Sequence, residues 1–306
     1  MRLHKLCAIA LCLGFVLAGW AQAAPPRFVF DTPFGAGGYV RTFFDADDVM
    51  QDLVRQPDGK LIAVGTTTRL MPNGFEYHTS LVRYNIDGRL DPTFGTDGKV
   101  TIPAGSSGVA GALQTDGRLL TVGRTVTSGL IGDLTLARLN SNGSLDGSFA
   151  GGSGIASPNF TRPSHGTKVA LQTDGKIVVS GGMLYEPQAS QNFKFLVARF
   201  NSNGTLDTGF GANGFMTTYV GEDSFATSLF IRPDGRILLA GYGNLGGTYH
   251  FALAQYTSAG TLDPAFGTNG IAITYFPQSS GSFIFGGELE RDGKLLAVGL
   301  STSDFA

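Results

Sequence analysis

Apolar residues in this chain come in short runs, and one set of runs recurs five times in the same order. The run LIAVG at 61–65 returns as LLTVG at 119, IVVSG at 177, ILLAG at 237 and LLAVG at 295. Short runs with β-branched residues that end at glycine favour strands over helices. Each run follows a D-G pair, and D-G between two apolar runs is a strong hairpin signal. The aspartates of these pairs are Asp58, Asp116, Asp174, Asp234 and Asp292.

The spacing of these pairs, 58 to 60 residues, indicates a tandem array of supersecondary units. In each unit an apolar stretch precedes the D-G turn. A third apolar run follows a variable loop, as SLVRYN at 80, TLARLN at 135, LVARFN at 196 and ALAQYT at 252. A second turn with glycine then leads to the motif D-x-x-F-G and a last extended stretch. The pattern therefore predicts four antiparallel strands per unit, named a to d.

Strand b is apolar almost without alternation, so both of its faces must be covered. One four-stranded sheet cannot cover itself, but sheets stacked around a common axis cover each other, and this arrangement is a β-propeller. We therefore predict an all-β fold over residues 24–306, built from about five four-stranded antiparallel blades. A β-solenoid is the alternative.

The fifth unit is incomplete, because TSDFA at 302–306 aligns with TYHFA at 248–252, where strand c begins. At the other end, FDTPFGAGGYVRTFF at 30–44 matches a lone fourth strand. We expect the chain to be a fragment of a longer array. The alternative is a five-bladed ring that the first strand closes against an incomplete sheet.

The order of these motifs carries a family resemblance. The units follow the pattern Q-x-D-G-[KR]-[IL]-[LV]-x-x-G and then L-[AV]-R-[YFL]-N-x-[DN]-G-x-L-D-x-x-F-G-x-x-G. This order of motifs resembles the delta-60 repeats of exported bacterial proteins. The resemblance covers essentially everything after Pro25. The resemblance implies a bacterial propeller of seven blades or a longer array, and it brings no established catalytic residues. Two departures are Ala150 in place of the motif glycine and Gln255 in place of the arginine.

The first 23 residues have the pattern of a secretory signal peptide. Arg2 and Lys5 precede an apolar run, and Ala21-Gln22-Ala23 forms an A-x-A cleavage site. We expect export to the periplasm, the cell surface or the medium, and no transmembrane span after cleavage. An uncleaved anchor is the alternative. Cys7 and Cys12 both lie in this segment, so the mature chain is expected to contain no disulfide.

The net charge of the chain limits the classes of partner that we expect. Without Arg2 and Lys5 the chain has 20 basic and 24 acidic residues, a net charge of −4. This weak acidity argues against nucleic acid or anionic lipid as a partner. The 45 glycines among 306 residues suit many short strands joined by tight turns.

Residues that recur in every unit are expected to be structural. The D-G aspartates suit turns in which Asp accepts a hydrogen bond from its own downstream backbone. An arginine of strand c precedes the D-x-x-F aspartate by eight residues, which predicts a buried ion pair in each blade. These two columns are Arg83, Arg138 and Arg199 on strand c, and Asp91, Asp146, Asp207 and Asp263 in the motif.

Function is expected where the units differ. The D-G and N-G turns share one face of the predicted propeller, and the variable b–c and d–a loops share the other. We predict a non-enzymatic scaffold that binds a protein, peptide or glycan through this variable face, without a cofactor. The candidate ligand-binding residues are Phe75, Tyr77, His78, Tyr185, Phe193, Tyr242, Tyr249 and His250.

A metal-dependent propeller hydrolase of lactonase type is the alternative function. Acidic residues at the axial ends of strands hold one divalent ion in such an enzyme. The candidate acids are Asp48, Asp52, Glu222, Asp223 and Glu288. The sequence contains no G-x-S-x-G, no H-E-x-x-H and no Walker motif, which weighs against an enzyme.

Overall fold

The computed structural model describes residues 31–44, 47–72, 74–102, 106–127, 130–185, 192–277 and 279–302. Within these ranges the chain forms four four-stranded antiparallel sheets and one two-stranded sheet, here sheets 1 to 5 in chain order. The predicted signal peptide lies outside the described residues. No helix in the described ranges is long and apolar enough to cross a membrane.

The strands follow one another within each sheet in chain order. Sheet 1 contains β1 (Asp47–Arg55), β2 (Leu61–Met71), β3 (Gly74–Tyr84) and β4 (Lys99–Ile102). Sheet 2 contains β5 (Ser106–Leu113), β6 (Leu119–Thr127), β7 (Leu130–Leu139) and β8 (Ile155–Ala156), with a short 3-10 turn at Ala150–Gly152. Sheet 3 contains β9 (Ser164–Leu171), β10 (Ile177–Leu184), β11 (Phe193–Phe200) and β12 (Phe215–Thr218). Sheet 4 contains β13 (Ser224–Ile231), β14 (Ile237–Leu245), β15 (Thr248–Tyr256) and β16 (Ile271–Thr274), and sheet 5 contains β17 (Gly281–Leu289) and β18 (Leu295–Thr302).

The D-G turns connect the first and second strands of all five sheets. In each turn the aspartate Oδ1 accepts a hydrogen bond from the backbone N–H two residues later, at 3.0–3.2 Å. The glycine that follows has φ between 82° and 85°, a conformation that L residues rarely adopt. Both residues of the D-G pair therefore stabilise the turn, the aspartate through its side-chain hydrogen bond and the glycine through its positive φ.

The glycine that ends each apolar run does not end the strand, contrary to the expectation from sequence. β10, for example, continues through Gly181 to Leu184. A Cβ at Gly181 would collide with the backbone carbonyl oxygen of His165 on β9, next to a bulge in the pairing of the two strands. The same collision recurs at the equivalent glycines of the other four sheets, Gly65, Gly123, Gly241 and Gly299. Glycine stands here because two backbones approach each other closely.

Each sheet packs face to face on the next, and the first strands β1, β5, β9, β13 and β17 contact one another in succession. Between sheets 1 and 2, Ile62, Val64 and Leu81 pack against Leu119 and Leu139. The equivalent positions form the apolar clusters between sheets 2 and 3 and between sheets 3 and 4. Burying each such side chain contributes about 1.5–3 kcal/mol. The prediction of an all-β propeller built from four-stranded antiparallel sheets is confirmed over the described residues, in which sheet 5 has two strands.

Candidate functional site

The arginine of the third strand lies against the aspartate of the D-x-x-F motif in sheets 1 to 3. Arg138 donates from Nε to Asp146 Oδ2 at 2.7 Å and from Nη1 to the carbonyl oxygen of Ser202, in the c–d turn of sheet 3, at 2.5 Å. Its guanidinium lies 4.4 Å from the ring centroid of Phe149. Arg83 and Arg199 make the same three contacts in sheets 1 and 3. One side chain therefore joins its own motif to the neighbouring sheet.

The motif aspartate is also approached by a second cation. The basic residue after the D-G turn reaches it in sheets 1 to 4, as Arg118 reaches Asp146 at 3.3 Å. Burial alone would raise the pKa of Asp146, but hydrogen bonds from Ser148 and Arg138 outweigh it and lower the pKa to about 2. The pKa values of Asp91, Asp207 and Asp263 are lowered too. These carboxylates are charged structural elements of the blades.

Sheet 4 achieves the same connection with two residues exchanged. Where sheets 1 to 3 have glutamine before the D-G turn and arginine on the third strand, sheet 4 has Arg232 and Gln255. Arg232 donates to Gln255 Oε1 at 2.7 Å and to the carbonyl oxygen of Gly293 in sheet 5 at 2.8 Å. Gln255 donates to Asp263 at 2.8 Å. Sequence predicted the missing arginine at Gln255 but not its compensating partner Arg232, which occupies the repeat position of Gln56, Gln114 and Gln172.

On the variable-loop face, five aromatic rings from sheets 3, 4 and 5 form one cluster, here the aromatic cluster. The predicted residues Phe193, Tyr242 and Tyr249 belong to it, with neighbouring ring centroids 5.0–6.3 Å apart. Phe225 and Phe283, which the sequence analysis did not select, complete it. All five side chains are partly buried. Packing between blades accounts for most of the surface of this cluster.

Asp223 lies at the edge of the aromatic cluster. It accepts hydrogen bonds from the Phe193 backbone N–H at 2.6 Å and from the Tyr249 hydroxyl at 2.9 Å. Burial, the charge of Asp223 and the neighbouring Tyr249 raise the pKa of Tyr242 to about 12. The carboxylate therefore orders the loops that carry the rings.

A second aromatic group lies at the same face and is open to solvent. Tyr219 and Tyr275 occupy equivalent positions at the ends of the fourth strands of sheets 3 and 4, with 51% and 61% of their surface exposed. Both line a groove of about 560 Å³ together with Leu245, Ile271 and Ile273, and its lining contains no charged residue. This groove, here the tyrosine groove, was not predicted from sequence.

Tyr185, one of the predicted residues, extends this group. Its ring centroid lies 6.0 Å from that of Tyr219, and Lys194 Nζ lies 3.7 Å from the Tyr185 centroid. Burial and the nearby Arg162 lower the pKa of Lys194. The ammonium group already occupies the aromatic face of Tyr185, so the tyrosine groove is the more open surface.

The remaining predicted aromatic and histidine residues are not brought together. Phe75 is exposed on the β2–β3 hairpin of sheet 1, and Tyr77 lies on the same strand. His78 is buried with Nε2 3.2 Å from Glu76, and His250 is buried against Tyr275. The two histidines therefore belong to different sheets and different surroundings.

The candidate acids lie on sheets 1 and 5 and in the loop that precedes sheet 4. Asp48 accepts hydrogen bonds from Thr67 and the Phe44 backbone, and Asp52 accepts one from the Gly111 backbone N–H in sheet 2. Glu222 precedes β13 and Glu288 is exposed on β17. Within the part of the chain that the structure describes, no three His, Asp or Glu side chains are grouped to hold a metal ion.

Three solved structures are similar to this chain at low identity. A gluconolactonase from Xanthomonas campestris is 9% identical with a TM-score of 0.39, over 83% of this chain and 84% of that chain. An α-L-arabinofuranosidase from Fusarium graminearum is 11% identical with a TM-score of 0.39, over 78% and 76%. A calcium-binding regucalcin from Agrobacterium tumefaciens is 12% identical with a TM-score of 0.25, over 83% and 90%.

A search of curated protein sequences finds no match. Residues 56–94, 114–149, 172–210 and 232–266 match a family model described as "Domain of unknown function (DUF5122) beta-propeller". Each matched segment spans the second and third strands of one four-stranded sheet. These four matches are consistent with a chain built from β-propeller repeats, as the four four-stranded sheets show.

Proposed function

We propose that this protein is an exported, non-catalytic scaffold of the delta-60 repeat type that binds a protein, peptide or glycan through its variable-loop face. The tyrosine groove carries the proposal. It is an uncharged depression whose lining includes two half-exposed rings, Tyr219 and Tyr275. Tyrosine offers a large rigid surface at a small entropic cost, which suits it to recognition.

The lining of the tyrosine groove favours a ligand segment without net charge. Its residues are aliphatic side chains, glycines, one threonine and the two tyrosines. The lining itself offers no ionic partner to a charged ligand group, and the cation beside it, Lys194 Nζ at 5.3 Å from the Tyr219 ring centroid, already lies over Tyr185. Neutral sugars and uncharged peptide segments, which stack on aromatic rings, meet this requirement.

Screening glycan and peptide arrays with the purified protein tests the proposal. For a ligand found there, Tyr219→Ala and Tyr275→Ala should each weaken binding about tenfold or more, equivalent to about 1.4 kcal/mol. Tyr39→Ala is the matched control, because Tyr39 is equally exposed but lies in the segment 31–44 outside the groove. Binding that neither groove variant changes would contradict this site, and a metal-dependent turnover of any array ligand would contradict the non-catalytic assignment.

The proposal that this protein is exported rests on the signal-peptide pattern of residues 1–23 and is tested separately. The chain recovered from the periplasm or medium should begin at Ala24 by intact mass. Retention of the full-length chain in the membrane fraction would instead support an uncleaved anchor.

A further inference from the structure

Arg124 lies on β6, three residues before that strand ends at the b–c loop of the variable-loop face. Its Nε is buried and donates no hydrogen bond, and within the described ranges no carboxylate pairs with its guanidinium. Burial lowers the pKa of this guanidinium, and Tyr77 offsets part of that effect. Because an arginine remains charged in a protein, the partly buried Arg124 carries a positive charge that the described residues leave uncompensated.

His165 on β9 faces Arg124 across the interface between sheets 2 and 3. The two residues occupy the repeat positions of Thr66 and Ser107, whose hydroxyl oxygens lie 2.9 Å apart across the interface between sheets 1 and 2. A Cβ at Gly166, the neighbour of His165, would lie 3.2 Å from the carbonyl oxygen of the residue before Arg124. The backbones that carry the two side chains therefore approach each other closely.

The imidazole of His165 also lacks a partner. Its Nε2 is buried and forms no hydrogen bond. Burial, and to a smaller extent the charge of Arg124, lowers the pKa of His165 to about 3, so the imidazole is neutral near pH 7. A neutral imidazole carries a hydrogen on one ring nitrogen and can donate from Nε2. Buried polar groups without a partner are rare in native proteins, and a bound ion accounts for some of them.

The other three interfaces fill these two repeat positions without leaving a buried donor unpaired. The pairs are Thr66 with Ser107, Gly182 with Phe225, and Tyr242 with Phe283. The first pair shares a hydrogen bond, and the other two pack against an aromatic ring. Arg124 and His165 instead bring two buried nitrogens together, and neither accepts a hydrogen bond from the other. A ligand group that supplies acceptors and negative charge would satisfy both.

We propose that Arg124 and His165 bind one oxyanion, the carboxylate, phosphate or sulfate group of a ligand, between sheets 2 and 3 at the variable-loop face. Its oxygens accept hydrogen bonds from Arg124 Nε and His165 Nε2, so both nitrogens gain a partner and the guanidinium gains a counter-ion. The site is separate from the tyrosine groove, whose lining belongs to sheets 3 and 4. Phe225, with its ring centroid 5.4 Å from that of His165, connects the site to the aromatic cluster.

Thermal melts of the purified protein with small anions test this site. Phosphate, sulfate and acetate are the probes, each compared with chloride at the same ionic strength, and acetate separates a carboxylate site from one for tetrahedral anions. A bound anion stabilises the native state by mass action, so the Tm of the parent protein should rise with the concentration of the anion that fits. Because sulfate and phosphate stabilise proteins in general, the measured quantity is the difference between the Tm shifts of the parent and of Arg124→Met.

Arg124→Met removes the guanidinium and keeps an apolar side chain of similar length. Since no described carboxylate loses its partner, the variant should be at least as stable as the parent in chloride. Its affinity for the anion, measured by isothermal titration calorimetry, should fall about tenfold or more. His165→Phe keeps a ring without Nε2 and should weaken binding about threefold or more. Arg89→Met is the matched control, because the Arg89 side chain is 85% exposed in the turn between β3 and β4 on the opposite face.

Nuclear magnetic resonance locates the bound anion. The ring resonances of His165, identified by their absence from His165→Phe, should move as the anion is added to the parent protein and should stay fixed in Arg124→Met. Equal Tm shifts in the parent and Arg124→Met, or His165 resonances that none of the three anions moves, would overturn the proposal. A loss of stability in Arg124→Met in chloride would overturn it too, because Arg124 would then have a partner within the chain.

Discussion

Arg138 supports a stability prediction whose size follows from its contacts. Arg138→Met removes a 2.7 Å hydrogen bond to Asp146, a 2.5 Å bond to the Ser202 carbonyl oxygen and the contact with Phe149. Asp146 stays buried with Arg118, at 3.3 Å, as its remaining cation. Removing one partner of a buried pair costs about 3–5 kcal/mol. Because Arg118 compensates part of this, we expect the free energy of unfolding to fall by about 3 kcal/mol.

Sheet 4 provides a rescue for this variant. Arg138→Gln keeps an amide donor for the motif aspartate, as Gln255 does, and should cost less than Arg138→Met. Adding Gln114→Arg reproduces the arrangement of Arg232 and Gln255, so the double variant should recover more than half of the loss. Gln114→Arg alone places a second guanidinium beside Arg138 and should destabilise the protein.

Equilibrium urea unfolding measures these differences. Circular dichroism and tyrosine fluorescence serve as two probes, since Trp20, the one tryptophan of the sequence, lies in the predicted signal peptide. Coincident transitions by both probes justify a single free energy. If Arg138→Met changes stability by less than the experimental error, or if the double variant is no more stable than Arg138→Gln, the reasoning about this buried pair is refuted.

Three further predictions concern the backbone, acid and metal. Gly181→Ala should lower the free energy of unfolding by about 1–3 kcal/mol because its Cβ meets a backbone carbonyl. Gly147→Ala, whose Cβ meets nothing within 4 Å, should change that free energy by at most about 0.5 kcal/mol. Equal effects of the two variants in urea unfolding would contradict the close approach at Gly181. Burial, and to a smaller extent the charge of Arg124, lowers the pKa of His165 from 6.5 to about 3. Between pH 6.5 and about 3 the unfolded chain therefore binds a proton at His165 that the folded chain does not bind. The free energy of unfolding should fall as the pH falls through this range, by at most about 1.4 kcal/mol per pH unit. His165→Phe, which introduces the aromatic type of the equivalent positions in sheets 4 and 5, should flatten that slope, and an unchanged slope would show that other groups cause it. Thermal melts with and without chelator should coincide for a metal-free scaffold, whereas a lower Tm with chelator would support the hydrolase alternative.

The repeat predicted the fold because it samples each structural position several times. D-G turns and apolar runs placed the hairpins, and the lack of alternation in strand b required sheets on both sides. The predicted end of the second strand was wrong because it was placed at the glycine that ends the apolar run. In sequence, a glycine required by a close approach of two backbones, such as Gly181, cannot be distinguished from a glycine that ends a strand. The distinction depends on the bulge in the partner strand, which periodicity does not encode.

The candidate site was less predictable because it depends on which loops converge. Phe193, Tyr242 and Tyr249 were selected as loop aromatics, but Phe225 and Phe283 joined them from first strands. Phe225 and Phe283 occupy the same repeat position as Ser107 and His165. Because the residue types at this position differ in chemistry, comparing the repeats did not indicate an aromatic site there. The tyrosine groove was missed because its tyrosines end fourth strands, where the extended pattern indicates structure rather than recognition.

Successive sheets cover each other with their first strands together, and an engineered disulfide tests this arrangement most directly. The hydroxyl oxygens of Thr66 in sheet 1 and Ser107 in sheet 2 lie 2.9 Å apart. In a chain whose Cys7 and Cys12 are replaced by serine, Thr66→Cys with Ser107→Cys should oxidise to one linked peptide pair in non-reducing mass spectrometry. Thr66→Cys with His165→Cys, at the equivalent position one sheet further on, should stay reduced. Free thiols in the first pair, or a link in the second, would contradict the stacked arrangement.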